Sequence, residues 1–149
     1  MSRFSFREHP VRWVLVLLVS GPVVLLCFVH VANNVAAHEI ERRLVAIPLP
    51  PGTELVDSAW AVSRFAGAGN GTQYAGAVLV RSDLSSAALA ALYNDGAQNA
   101  RALGETDGRV ESALRFGNEY DLTEPGMFVI AETGEPESAL LASADVRGH

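Results

Sequence analysis

Residues 13–32 read Trp13-Val-Leu-Val-Leu-Leu-Val-Ser-Gly-Pro-Val-Val-Leu-Leu-Cys-Phe-Val-His-Val-Ala32, twenty positions without a formally charged side chain. As a helix at about 1.5 Å per residue this run is roughly 30 Å long, the thickness of a bilayer's hydrocarbon core. Thirteen of the twenty are Leu, Val or Phe. At about −0.3 to −0.6 kcal/mol each on an insertion scale, they favour the bilayer by roughly 4 to 8 kcal/mol. The run predicts a transmembrane helix over 13–32, in contact with lipid along its length. Gly21-Pro22 is a point where such a helix kinks, with the Ser20 hydroxyl available to a freed carbonyl. Cys27 reads as a small lipid-facing side chain. A lipoprotein cysteine is the weaker reading, because Leu25-Leu26 puts no small residue before it. His30 is the one imidazole in the run, about a turn from its outer boundary.

The flanks set the expected orientation. Arg3, Arg7 and Arg12 precede the run, against Arg42 and Arg43 after it. The short basic tail, 1–12, is expected on the cytoplasmic side, with the long C-terminal portion translocated. A cleaved signal peptide shares the basic start, and Val35-Ala36-Ala37 is a fitting cleavage site. Its apolar core, Trp13 to Val29, is longer than the roughly 7 to 15 residues usual for such peptides, which favours a retained anchor.

Beyond the run, residues 33–52 predict a juxtamembrane helical stalk and a Pro-rich linker. Glu39 and Arg43 stand at i,i+4 with the acid first, and Ile40 and Leu44 repeat at the same interval. Pro48, Pro50, Pro51 and Gly52 stop that helix, so 47–52 is expected to be a stiff extended linker. It leads to a small extracytoplasmic domain over 53–149.

The period then changes to two. Val56, Ser58, Trp60 and Val62 share one face of a strand, with Leu55, Asp57, Ala59 and Ala61 on the other. Gly67-Ala68-Gly69-Asn70-Gly71 reads as a hairpin turn, since Asn-Gly tolerates positive φ. It returns the chain into a strand over 72–81 that is apolar on both faces, as a central strand is. Ser82 to Ser86 opens a helix with hydroxyl and carboxylate caps. Leu84, Ala88, Ala91 and Leu92 form its expected buried stripe, Tyr93 flanks it, and Asp95-Gly96 ends it. Val110, Ser112, Leu114 and Phe116 alternate with polar residues as a half-buried strand does. Glu124-Pro125-Gly126 is a turn, and Met127–Ala131 and Ala139–Ala144 are further short strands. The expected fold class is α+β, a mostly antiparallel sheet with one packed helix in the order β-β-α-β-β-β.

Composition narrows the chemistry. The 149 residues carry a net charge of −6, and all eleven basic residues are arginine. Arginine in place of lysine, with abundant Ala, Val, Gly and Leu, fits the codons of a GC-rich bacterial genome. From His38 to His149 sixteen carboxylates face eight arginines, a net −8, which argues against nucleic acid as a partner. That portion has no cysteine, and its histidines are His38 beside the membrane and His149. The reading therefore places no nucleophile triad and no histidine-based zinc site in the folded part.

Glu119, Asp121 and Glu124, with Asn118, gather oxygen ligands of the kind calcium takes. They lack the spacing of a calcium loop, and a solvated loop is the preferred reading. Asn70-Gly71-Thr72 matches a glycosylation acceptor but is already explained by the turn. No cofactor is expected. Taken together, the residues predict a single-pass protein of the bacterial cell membrane. Its outer domain is a non-enzymatic protein-binding or accessory module, whose partner reaches the sheet face or the Gly21-Pro22 region. The alternatives are a small hydrolase or lyase using Glu119, Asp121 and Glu124, and a secreted domain released after Ala37.

Overall fold

A computed structural model describes residues 10–63, 72–96, 101–103, 110 and 113–136. Its longest element, α1, Pro10–Val45, is one helix of 36 residues that continues through Pro22. At 1.5 Å per residue it is about 54 Å long, so a bilayer core accounts for little more than half of it. Among the described residues it is the one helix long and apolar enough to cross a membrane.

Burial divides α1 in two. Every described side chain from Val14 to Phe28 is exposed, whereas Val29, Asn33, Ala37, Ile40 and Leu44 are buried. These five lie three or four residues apart, the spacing of a single helix face. The predicted stalk is thus packed against the sheet. Ile40 and Leu44 share a core cluster with Val78, Val80, Leu89, Tyr93 and Ile130.

The chain reverses at once after α1. The Thr53 N–H donates to the Pro50 carbonyl at 3.1 Å, and Gly52 has φ 76°. Proline second and glycine third is the pattern of a type II turn. The expected extended linker is therefore corrected: its last residues form a turn that lays the next strand back along the helix.

Among the described residues, four strands and two further helices follow with defined bounds. In chain order they are β1 (Thr53–Ser63), β2 (Gln73–Ser82), α2 (Ser86–Gly96), β3 (Arg101–Leu103), α3 (Phe116–Glu119) and β4 (Met127–Gly134). The sheet order is β1-β2-β4-β3, antiparallel throughout, with β2 central as expected. The fold is α+β. A bulge between Leu55 and Asp57 explains why β1 shows no clean alternation. The extra residue shifts the phase, so Leu55 packs on the α1 side, while Val56 joins Ala59 and Ala61 against the opposite core.

Both sheet faces are covered. On one lie α1 and α2. On the other, Ala75, Ala77, Leu79, Val129 and Ala131 pack with Val110, Leu114 and Phe116. Here a second expectation is overturned: Val110, Ala113 and Leu114 are helical, not a strand. Val110 and Leu114 are one helical turn apart and both buried, so the alternation there was the shadow of a longer period. Arg115, at φ 63°, then breaks direction into α3.

In α2, Ser85 caps as anticipated, its hydroxyl accepting the Ala88 N–H at 3.3 Å. The buried stripe is displaced, however. Leu89 and Tyr93 are fully buried, whereas Ala88 and Ala91 are exposed. The two large side chains one turn apart win the interior because they remove more apolar surface from water than alanines do. The turn at Glu124–Met127 is present, the Met127 N–H donating to the Glu124 carbonyl at 3.2 Å with Gly126 at φ 84°. A third strand forms at Arg101–Leu103. The hairpin glycines 67–71, Ser112 and the strand expected at 139–144 lie outside the described residues.

Candidate functional site

The close approach of α1 to the sheet depends on one residue. A Cβ at Gly76 on β2 would clash with the Glu41 backbone nitrogen and lie 2.8 Å from the Ile40 carbonyl carbon. Only glycine lets the helix backbone rest on the strand here. Polar side chains on either side of this contact then become neighbours of the sheet.

Toward β1, Ser58 donates its hydroxyl to Glu41 Oε1 at 2.6 Å, and Glu41 Oε2 accepts from His38 Nδ1 at 2.7 Å. The His38 ring lies 6.2 Å from that of Trp60, centroid to centroid. A serine, a histidine and a carboxylate are thus linked, but in the wrong order for nucleophilic catalysis. In a triad the imidazole stands between hydroxyl and carboxylate, so that it can take the hydroxyl proton. Here the carboxylate stands in the middle, the imidazole does not touch Ser58, and the chain is a clasp between α1 and β1.

Toward β4, Arg43 donates to Glu132 Oε1 at 2.8 Å. The Glu132 side chain is 6% exposed and Arg43 is 48% exposed. Burial pushes the Glu132 carboxyl above its ordinary range, while the Arg43 charge opposes the rise. Its second oxygen is buried without a hydrogen-bond partner. The Tyr93 hydroxyl is likewise buried and unpartnered, and burial raises its pKa. The predicted Glu39–Arg43 pair does not form, because Arg43 turns to Glu132 and Glu39 meets Arg42 at 3.4 Å. A buried carboxylate repays a charged partner more than an exposed one does.

The acidic cluster picked out from sequence does not assemble. Glu119, Asp121 and Glu124 are all exposed. Asp121 Oδ1 accepts from both the backbone N–H and the hydroxyl of Thr123, at 3.0 and 2.6 Å, and these bonds lower its pKa. Glu124 faces Arg81 at 3.2 Å. Among the described residues no group of three His, Cys, Asp or Glu side chains is placed to hold a metal ion. Nearby, Tyr120 donates to Asp57 Oδ2 at 3.1 Å, a bond that raises the phenol's pKa. Cys27 is exposed on the apolar half of α1, as its position suggested.

The clasp is hidden in the sequence because a histidine in a juxtamembrane stalk has no sheet to meet, and only the packing of α1 on β1 supplies one. The signal present in sequence is the His38-x-x-Glu41 spacing, which puts the two about one helical turn apart, beside rather than on the face of Ile40 and Leu44. Comparison with protein-family models, curated proteins and solved structures finds no match to this chain.

Proposed function

We propose that the chain is a single-pass protein of the bacterial cell membrane, with a cytoplasmic N-terminus and a non-enzymatic binding module outside. The supporting observation is the continuity of α1: from Val14 to Phe28 its described side chains are all exposed and, Ser20 aside, apolar, and its second half is a core helix of the fold. A helix joining the two without a hinge holds the module rigidly against the bilayer. Such coupling suits a protein that presents a surface to other envelope proteins at a fixed height.

The surface expected to meet a partner also changes. Both sheet faces are covered, so the sheet-face contact anticipated from sequence gives way to the outer edge of β1, an edge strand among the described residues. Edge strands offer free backbone donors and acceptors to an added strand.

Protease added to intact spheroplasts, followed by blotting with N- and C-terminal tags, tests the topology. The proposal expects the C-terminal tag to be lost and the protected N-terminal fragment to stay with the membranes after carbonate washing. Recovery of the full chain in the soluble fraction, or digestion only after lysis, would overturn it. Photo-crosslinkers placed along β1 in the full-length protein test the binding role, which fails if only the protein itself is recovered.

A further inference from the structure

We propose that Trp60 docks the near rim of the module onto the lipid headgroups of the bilayer that α1 crosses. This rests on the membrane-anchor reading and extends it from the helix to the fold.

Three observations place Trp60 at that level. The turn at Pro50–Thr53 makes β1 antiparallel to α1, and the contacts of Ser58 with Glu41 and of Trp60 with His38 show the two elements side by side. The later residues of β1 therefore lie toward the apolar half of α1. Along α1, one face is already buried from Val29 while the outward face stays apolar, with Val31 59% and Val35 63% exposed. The fold thus begins before the apolar surface ends, and the two overlap by about 9 Å along the helix. His38, beside Trp60, comes six residues after Ala32, where the apolar run ends, about 9 Å further along. The headgroup region of one leaflet is roughly 5–8 Å deep and helix side chains lean back toward the N-terminus, which brings the indole to the outer margin of that region.

The side chain suits that position. Outside α1, Trp60 and Leu49 are the large apolar side chains most exposed among the described residues, each 38%. Leu49 sits at the opposite end, by the turn. Trp is enriched at membrane interfaces because its ring is apolar while its N–H needs a polar partner.

The chain's two tryptophans make the test direct. Full-length Trp13→Phe and Trp60→Phe variants are reconstituted in phosphatidylcholine vesicles carrying nitroxide either on the headgroup or near the end of the acyl chain. In Trp13→Phe, the Trp60 emission is expected to fall about twofold with headgroup nitroxide and much less with acyl nitroxide. No quenching of Trp60 by either lipid, with Trp13 quenched in the other variant, overturns the docking and leaves the anchor standing. Stronger quenching of Trp60 by the acyl label overturns it too, by placing the indole in the hydrocarbon. Absence of quenching at both tryptophans overturns the anchor itself.

Discussion

Gly76 and Glu132 show how much of this fold hangs on single residues. At Gly76 the atoms a methyl group would meet are helix backbone, which cannot swing aside as a side chain can. Gly76→Ala is expected to cost about 3 kcal/mol, the upper range for overpacking, and to lower the urea midpoint followed by Trp60 fluorescence in a Trp13→Phe background. Glu132 makes a prediction in pH. Its folded pKa lies above the unfolded value, so the folded state holds the proton more tightly. That contribution to stability is fully present below the ordinary carboxylate range and is lost as pH rises through the raised folded pKa. Glu132→Gln keeps the shape and one acceptor for Arg43 without the buried charge. It is expected to flatten this dependence and to be within about 1 kcal/mol of the parent, or above it, at neutral pH. Urea unfolding at a series of pH values checks both statements. A variant that keeps the slope would assign it to another group.

Among the elements, α1 presents two different surfaces in succession. Its outer half has no described contact with the fold, and its inner half is held by a stripe of five buried residues. Register therefore matters in one half only. An alanine inserted after Leu26 turns the apolar rod by about 100° relative to the module without disturbing any buried residue, and stability is expected to stay unchanged. The same insertion after His38 puts Ile40 and Leu44 out of phase with Val29, Asn33 and Ala37. Withdrawing these two side chains from the core costs roughly 3–6 kcal/mol. Thermal unfolding of the two variants in detergent makes the comparison. Equal losses would mean that the outer half packs on protein. The same logic explains α2, where Leu89 and Tyr93 took the interior from smaller residues, and β1, where a bulge reassigned Leu55 and Val56 to opposite cores.

At the scale of the whole molecule, the proposed anchor would limit what the β1 edge can bind. Since β1 runs alongside α1, two copies in one membrane have their β1 strands pointing the same way. Antiparallel pairing of β1 with β1 would send the two anchors in opposite directions. Self-association through this edge is therefore not expected, and an added strand comes from a different protein. In a Cys27→Ser background, Ala59→Cys, Ala61→Cys and Ser63→Cys are each expected to stay monomeric on oxidation in membranes. A disulfide-linked dimer at any of them would count against the anchored geometry.

Sequence alone determined the apolar run, the antiparallel hairpin of β1 and β2, the capped α2 and the turn at Glu124–Met127. Each rests on local rules: transfer of apolar side chains to lipid, the period of a strand, the bonding capacity of a cap, and the φ that glycine permits. Tertiary structure decided what lies against what. Whether 33–45 stood free or lay on the sheet depended on Gly76, more than thirty positions away, having no side chain. Whether Arg43 paired with Glu39 or with Glu132 depended on a carboxylate 89 positions distant being buried. Val110, Ala113 and Leu114 turned helical because a sheet face of alanines and valines needed covering. Local propensity cannot register such facts, because they concern the solvent each side chain loses once the remote parts of the chain meet.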